Sequence, residues 1–242
     1  MCAWRPHQTK LGKLPNISYI IRKPEPLGTE YKTICCPSTG VMTYMEIQRG
    51  KEGMKNMRLQ KELGATTACT IRCAEGSHQG GVNLKTVTKG DAWFRSVKCA
   101  VELAKRGRAF VGQIKSNHLL FPKSYIEEKL KDAPGGIDIV LKGRYKEVDL
   151  IAIGYRYSSK KTLHFIMTDD AGSTTPGEPY EMKFTDNYGN VHVQDVDCPE
   201  VILQFFQESN CVDKHNQARQ FKLALEKNGS LTMHIFDCLQ LL

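Results

Sequence analysis

The feature that most constrains the fold is a strand, helix, strand order in the first half of the chain. Residues 83–88 form a β-rich run, residues 93–105 carry apolar side chains at helical spacing, and residues 108–115 alternate between apolar and polar. Two strands joined through a helix in this way pair in parallel, as in the crossover units of mixed sheets. The sequence therefore predicts an α/β or α+β fold with a sheet that contains a parallel pair.

Two hairpins and three more helices complete the predicted elements. Residues 31–35 and 41–48 flank a Pro-Ser-Thr-Gly turn, and residues 149–157 and 162–168 flank a four-residue loop. Both pairs are rich in β-formers, which is typical of hairpin strands. Apolar spacing predicts helices at residues 51–63, 199–207 and 214–227.

Composition excludes several classes of protein. The 242 residues can bury one large core or two modest ones, and 40% hydrophobic with 25% charged residues is the globular average. No apolar run approaches the roughly 20 residues of a membrane helix, and the N-terminal residues lack the apolar core of a signal peptide. We therefore expect an intracellular protein with no membrane partner.

Net charge and cysteine content say little about the binding partners of the protein. Lys and Arg number 34 against 26 Asp and Glu, a net charge of +8, which fits either a polyanionic partner or ordinary solubility. The nine cysteines form no Cys-x-x-Cys pair, and no histidine stands at metal-ligand spacing from another. Reduced thiols without a zinc site are expected.

A few aspartates stand where metal-dependent nucleotidyl transfer would need them. Asp91 lies between a predicted strand and a predicted helix, and Asp213 lies at the junction of the last two helices. Asp169 and Asp170 follow a strand and are weaker candidates. Each also has a structural interpretation, since Asp is a favoured helix N-cap and turn residue. From the residues alone both interpretations stay open.

Five segments taken together resemble the piggyBac-derived transposases. The resemblance covers residues 4–226, and its motifs are IRKPEPLGTEYKT (21–33), GDAWFRSVKCAVELAKRG (90–107), FVGQIKSN (110–117), AGSTTPGEPYEMKFTD (171–186) and NCVDKHNQARQF (210–221). It implies an RNase H-like mixed sheet flanked by helices, with a β-rich insertion. The implied domains are the first part of the core (1–115), the insertion (116–198), the rest of the core (199–227) and a divergent tail (228–242).

The resemblance also implies a metal-binding triad of aspartates, of which this chain has two. Asp91 and Asp213 match the second and third catalytic and metal-binding positions. The first position falls at Cys36 or Pro37, where no carboxylate stands. Such enzymes use Mg²⁺ or Mn²⁺, and a neutral thiol is a poor ligand for these ions. We therefore expect weak metal binding and loss of strand cleavage and transfer.

The implied partner is double-stranded DNA at transposon ends, in the nucleus, and the resemblance is compatible with a homodimer. The residues expected to face DNA phosphates are Lys98, Lys105, Arg106, Arg108 and Lys115. Arg106 and Arg108 have an alternative role at a solvated helix end, where cations interact favourably with the helix dipole.

Three functional hypotheses follow. The first is a degenerate transposase domain, truncated at both ends relative to the family. The second is a domesticated, non-enzymatic module that binds DNA or protein through the insertion. The third is an active nuclease in which Glu46 or another carboxylate replaces the missing aspartate.

Overall fold

The computed structural model describes residues 2–3, 17–21, 27–77, 86–91, 93–114, 118–158, 160–185 and 189–217. The chain divides into two compact units. Unit 1 comprises residues 1–81 and 210–242, and unit 2 comprises residues 82–209. The domain boundaries predicted at 115/116 and 198/199 fall inside unit 2, and that division stays a prediction.

Twelve strands and seven helices are present in the described residues. The strands are β1 (Cys2–Ala3), β2 (Ile17–Tyr19), β3 (Leu27–Thr29), β4 (Tyr31–Cys35), β5 (Met42–Ile47), β6 (Val87–Gly90), β7 (Ala109–Ile114), β8 (Asp138–Tyr145), β9 (Val148–Ser158), β10 (Lys161–Thr168), β11 (Tyr180–Thr185) and β12 (Val191–Val196). The helices are α1 (Gly50–Met54), α2 (Gln60–Leu63), α3 (Ala65–Gly76), α4 (Val97–Ala104), α5 (Lys123–Lys129), α6 (Glu200–Glu208) and α7 (Cys211–Gln217).

Unit 1 contains two small antiparallel sheets and packed helices. Strands β1, β3 and β2 form one sheet, and β4 pairs with β5 in the other. The β4–β5 pair is the first predicted hairpin, which is confirmed. Helix α3 packs on this hairpin, and α7 packs on β4.

The prediction of one continuous helix at residues 51–63 is wrong. The segment forms two short helices, α1 and α2, separated by turns. Leu59 has φ 66°, a left-handed conformation that a continuous right-handed helix cannot contain. Helix α3 was not predicted because residues 67–74 are all buried, so the segment shows no polar face and hence no amphipathic period.

Unit 2 is built on a mixed five-stranded sheet of order β6-β7-β10-β9-β8. Strands β6 and β7 pair in parallel, with Val87 opposite Ala109, and this confirms the predicted crossover. The other pairs in the sheet are antiparallel, and β9 with β10 confirms the second predicted hairpin. Strands β11 and β12 form a separate ribbon.

Helices cover both faces of this sheet. Alternate residues of β7, β9 and β10 point to the face covered by α6, and Phe165 meets Phe205 of α6 edge to face, with ring centroids 5.2 Å apart. On the opposite face Gly154 lies directly under Ile126 of α5, and Gly112 lies under Arg95. The α+β class predicted from the sequence is confirmed.

The helices that flank the candidate aspartates differ from the sequence prediction. Helix α4 begins at Val97 and not near Trp93, and α7 begins at Cys211 and not at Lys214. Asp213 therefore lies in the first turn of α7 and not before it, and residues 218–227 of the predicted last helix lie outside the described residues. Helix α6 confirms the helix predicted at 199–207.

Two further observations concern the described part of the chain. No helix there is both long and apolar enough to cross a membrane. Seven of its cysteines are free thiols: Cys35, Cys36, Cys69, Cys73, Cys99, Cys198 and Cys211.

Candidate functional site

The first candidate position is the turn that follows β4. Cys36 N–H donates to Val41 O, and Gly40 N–H donates to Cys36 O, both at 2.8 Å. Cys36 Sγ lies 3.1 Å from Ser38 Oγ, and hydrogen bonds from Ser38 and Thr39 lower the pKa of Cys36 to about 7. The turn thus presents a partly ionised thiol and a proline where the resemblance implies a carboxylate.

The third candidate position lies on the helix that meets this turn within unit 1. Asp213 is exposed in the first turn of α7, where the positive end of the helix dipole favours a carboxylate. Two residues earlier, Cys211 Sγ donates to Cys36 O at 3.4 Å. Burial, together with a hydrogen bond that the Cys35 thiol donates to Cys211, raises the pKa of Cys35 to about 12. The fold therefore brings the start of α7 and the end of β4 together.

Asp91, the second candidate, lies in unit 2 directly after β6 and is exposed. Its Oδ1 accepts the Trp93 N–H at 2.8 Å, and Phe94 N–H donates to its carbonyl oxygen at 3.2 Å. The N-cap of α4 is Ser96, whose hydroxyl accepts the Cys99 N–H at 3.0 Å. The helix-capping interpretation of Asp91 is therefore wrong: the residue stabilises the turn between β6 and α4.

The proposed basic strip divides into two environments. Lys98 and Lys105 are exposed and lie seven residues apart, about two helical turns, so they face the same side of α4. Arg106 instead donates to Glu102 O and Glu102 Oε2, both at 2.7 Å, at the end of α4. Arg106 therefore lies at the end of α4 and binds groups of that helix, as the alternative role requires. Lys115 lies outside the described residues.

A two-metal centre sets a strict requirement on the donor set. Such a centre holds two divalent ions about 4 Å apart through several convergent carboxylates. Within the described residues, the only group of three metal-ligating side chains within 4.8 Å of one another is Glu46, Cys69 and Cys73. Neither Asp91 nor Asp213 belongs to that group.

The carboxylate of Glu46, the named alternative ligand, is engaged in a buried ion pair. Its two oxygens accept hydrogen bonds from Arg72 Nε at 2.6 Å and Arg72 Nη2 at 2.8 Å, and both side chains are buried. Burial alone would raise the pKa of Glu46, but the bonds from Arg72 hold it below its ordinary value of 4.5. Both oxygens are therefore committed to the structural contact between β5 and α3.

The sequence interpretation missed Arg95, four residues after Asp91. Its side chain is 3% exposed, and its Nε and Nη1 donate to no acceptor among the described residues. The available signal was an arginine directly after Trp93 and Phe94 at the start of the apolar-periodic segment, because a charged side chain at such a position is either solvated or functional.

Comparisons with known proteins agree with this architecture. The model of the Transposase IS4 family matches residues 5–239. A cryo-EM structure of piggyBac transposase, in a synaptic complex with hairpin DNA, matches with a TM-score of 0.60 and 16% identity. The match covers 86% of this chain and 37% of the solved chain. No curated protein matches the chain significantly.

The family match and the shared fold confirm the resemblance predicted from the sequence, including the RNase H-like fold. Transposases with a triad of acidic residues use divalent metal ions, so the ancestral activity was metal-dependent. This chain belongs to the Transposase IS4 family and has a piggyBac-like, RNase H-like fold.

Proposed function

We propose that this chain is a transposase-derived DNA-binding domain that no longer performs metal-dependent strand cleavage and transfer. The observation that carries the proposal is the turn after β4, where the chain has Cys36 and Pro37 and the resemblance implies the first metal-binding aspartate at one of these two positions. Asp91 and Asp213 are the remaining metal-binding positions in this proposal.

The charge balance supports loss of catalysis. Two carboxylates offer two negative charges to two divalent cations, whose mutual repulsion at about 4 Å is then poorly compensated. Mg²⁺ and Mn²⁺ prefer carboxylate and water oxygens, which neither a thiol nor a proline ring supplies. Arg72 also occupies an acceptor position on each Glu46 oxygen, and its positive charge opposes a cation there.

The DNA part of the proposal rests on charge and on ancestry. The related piggyBac transposase was solved with hairpin DNA, and this chain carries a net charge of +8. Lys98 and Lys105 present two exposed ammonium groups on one side of α4, in the same unit as Asp91. Exposed ammonium groups suit contacts with backbone phosphates, which carry no base specificity. Nuclear location and self-association into a homodimer are further parts of the proposal.

The test of lost catalysis is calorimetric titration of Mn²⁺ into the purified chain and into Asp91→Ala and Asp213→Ala. We expect no saturable binding that depends on either aspartate. Pro37→Asp and Cys36→Asp restore a third carboxylate, and the variant that occupies the true first position should gain Mn²⁺ affinity. Tight binding by the natural chain that disappears in both alanine variants would contradict the proposal.

The test of DNA binding is fluorescence anisotropy with a labelled duplex over a range of salt concentrations. Replacing both Lys98 and Lys105 with glutamine should reduce the slope of log K against log salt by about 2, because each phosphate contact contributes about 0.9. Lys129→Gln, an exposed lysine on α5, is the matched control and should leave the slope unchanged. Equal slopes for all three proteins would remove α4 from the DNA-binding surface.

A further inference from the structure

Arg95 is a buried cation without a hydrogen-bonded anion. It lies between the Asp91 turn and α4. Its Cβ packs against Gly112 of β7, 3.0 Å from the position that a Cβ atom on residue 112 would occupy. The residue is 3% exposed, and among the described residues its Nε and Nη1 have no acceptor. A guanidinium removed from water is costly unless an anion pairs with it, so this geometry indicates that a partner is missing.

The described groups around Arg95 do not supply that partner. Burial lowers the pKa of Arg95 to about 10, and the charge of Asp91 offsets only part of this effect. The Oδ1 of Asp91 is occupied by the Trp93 N–H. Burial and the positive charge of Arg95 both lower the pKa of His118, which is half-buried nearby. Arg95 thus interacts with a second basic group and with an exposed carboxylate that makes no hydrogen bond to it.

We propose that Arg95, together with His118, forms a binding site for a phosphate oxyanion. The Nε–H and Nη1–H groups of the guanidinium lie on different edges of the planar group, and each is an unpaired donor that a phosphate oxygen can accept. An imidazole N–H and the N-terminus of α4, which begins two residues later, add donors and positive potential for the remaining oxygens. A tetrahedral phosphate offers acceptors to all of these groups, and a neutral ligand would leave the buried charge uncompensated.

The site requires neither a metal ion nor the proposed DNA function. Inorganic phosphate and the phosphodiester of a nucleic acid backbone offer the same oxygen atoms. The proposal therefore commits to phosphate chemistry, and the experiment distinguishes the two sources.

The first arm of the test uses inorganic phosphate alone, in chloride buffer of matched ionic strength. We expect saturable binding by calorimetry, and a rise in melting temperature of roughly 3–6 °C when phosphate is about tenfold above its Kd. Arg95→Met, of similar volume without charge, should lose binding and should melt no lower than the natural chain without phosphate. Arg95→Lys should bind more weakly than the natural chain, and Arg144→Met, an exposed arginine on β8, should bind normally.

The second arm repeats the DNA anisotropy measurement in phosphate-free buffer and then adds inorganic phosphate. If phosphate competes with DNA in the natural chain but not in Arg95→Met, the site takes a backbone phosphodiester. If phosphate binds at Arg95 without affecting DNA, the site takes free phosphate, and either result supports the proposal.

Two outcomes would overturn it. One is the absence of saturable phosphate binding by the natural, folded chain. The other is a large loss of stability without phosphate in both Arg95→Met and Asp91→Asn, with strong coupling between them, since that pattern identifies an internal Arg95–Asp91 ion pair.

Discussion

Replacement of Arg72 should destabilise the hairpin that carries the candidate first position. Arg72 on α3 holds Glu46 on β5 through two hydrogen bonds of 2.6 and 2.8 Å, and its Nη1 donates to Arg58 O at 2.7 Å. The two side chains are 5% and 4% exposed. This bidentate pair therefore connects α3 to the β4–β5 hairpin in a site that water barely reaches.

The size of the stability loss follows from leaving the buried Glu46 carboxylate without its partner. Arg72→Met should lower the free energy of unfolding by about 3–5 kcal/mol, the usual loss when one partner of a buried pair is removed. The double variant with Glu46→Leu should cost much less than the sum of the two single substitutions, because two apolar side chains replace the whole pair. Arg58→Met is the control: its ion pair with Glu75 is largely exposed and should be worth less than about 1 kcal/mol.

The assay is urea-induced unfolding followed by far-ultraviolet circular dichroism, repeated at several pH values. Because the folded pKa of Glu46 lies below the ordinary 4.5, the unfolded chain takes up a proton first as the pH falls. The contribution of the pair to the free energy of unfolding is therefore complete above pH 4.5 and is lost as the pH falls through the pKa of Glu46 in the folded chain. A cost below about 1 kcal/mol for Arg72→Met, or strictly additive single and double variants, would refute this reasoning.

Two further predictions concern unit 2. Gly154→Ala should cost about 1–3 kcal/mol or more, because a methyl group there would overlap Ile126 Cγ2, whereas Gly143→Ala on the same sheet meets no atom within 4 Å and should have little effect in thermal unfolding. His164 is buried with a lowered pKa, so the unfolded chain gains its proton first and stability falls as the pH drops below 6.5. His164→Gln should flatten that decline in pH-dependent unfolding, and His192→Gln, at an exposed position, should not.

The elements that could be predicted from the sequence are those with one buried face, because their apolar residues recur with the period of a strand or a helix. The crossover of β6, α4 and β7 and the β9–β10 hairpin have clear alternation or helical spacing, and both are present. Helix α3 lacks such a pattern because it is buried on all sides. The break between α1 and α2 depends on the left-handed backbone of Leu59, a conformation that side-chain hydrophobicity does not encode.

The candidate site was predictable only in part, for a similar reason. The position of Asp91 after a strand could be read from the sequence, but its bond to the Trp93 N–H depends on local backbone geometry. Whether Glu46 was available as a ligand depended on a contact with Arg72, which is 26 residues away in the chain. The isolation of Arg95 likewise arises from tertiary packing on Gly112.

Under the proposed function, the turn after β4 explains how the fold persists without metal-dependent strand cleavage. Both backbone hydrogen bonds that close this turn use main-chain atoms of Cys36, Gly40 and Val41, and Gly40 supplies the required φ of 70°. None of these contacts depends on the side chain of residue 36 or 37. In the proposed alignment, replacement of an aspartate there removes a metal ligand and leaves the main-chain hydrogen bonds that close the turn in place. The main-chain atoms of this turn thus maintain the hairpin, whereas a side chain in the turn would bind metal, so metal binding can be lost while the hairpin is kept.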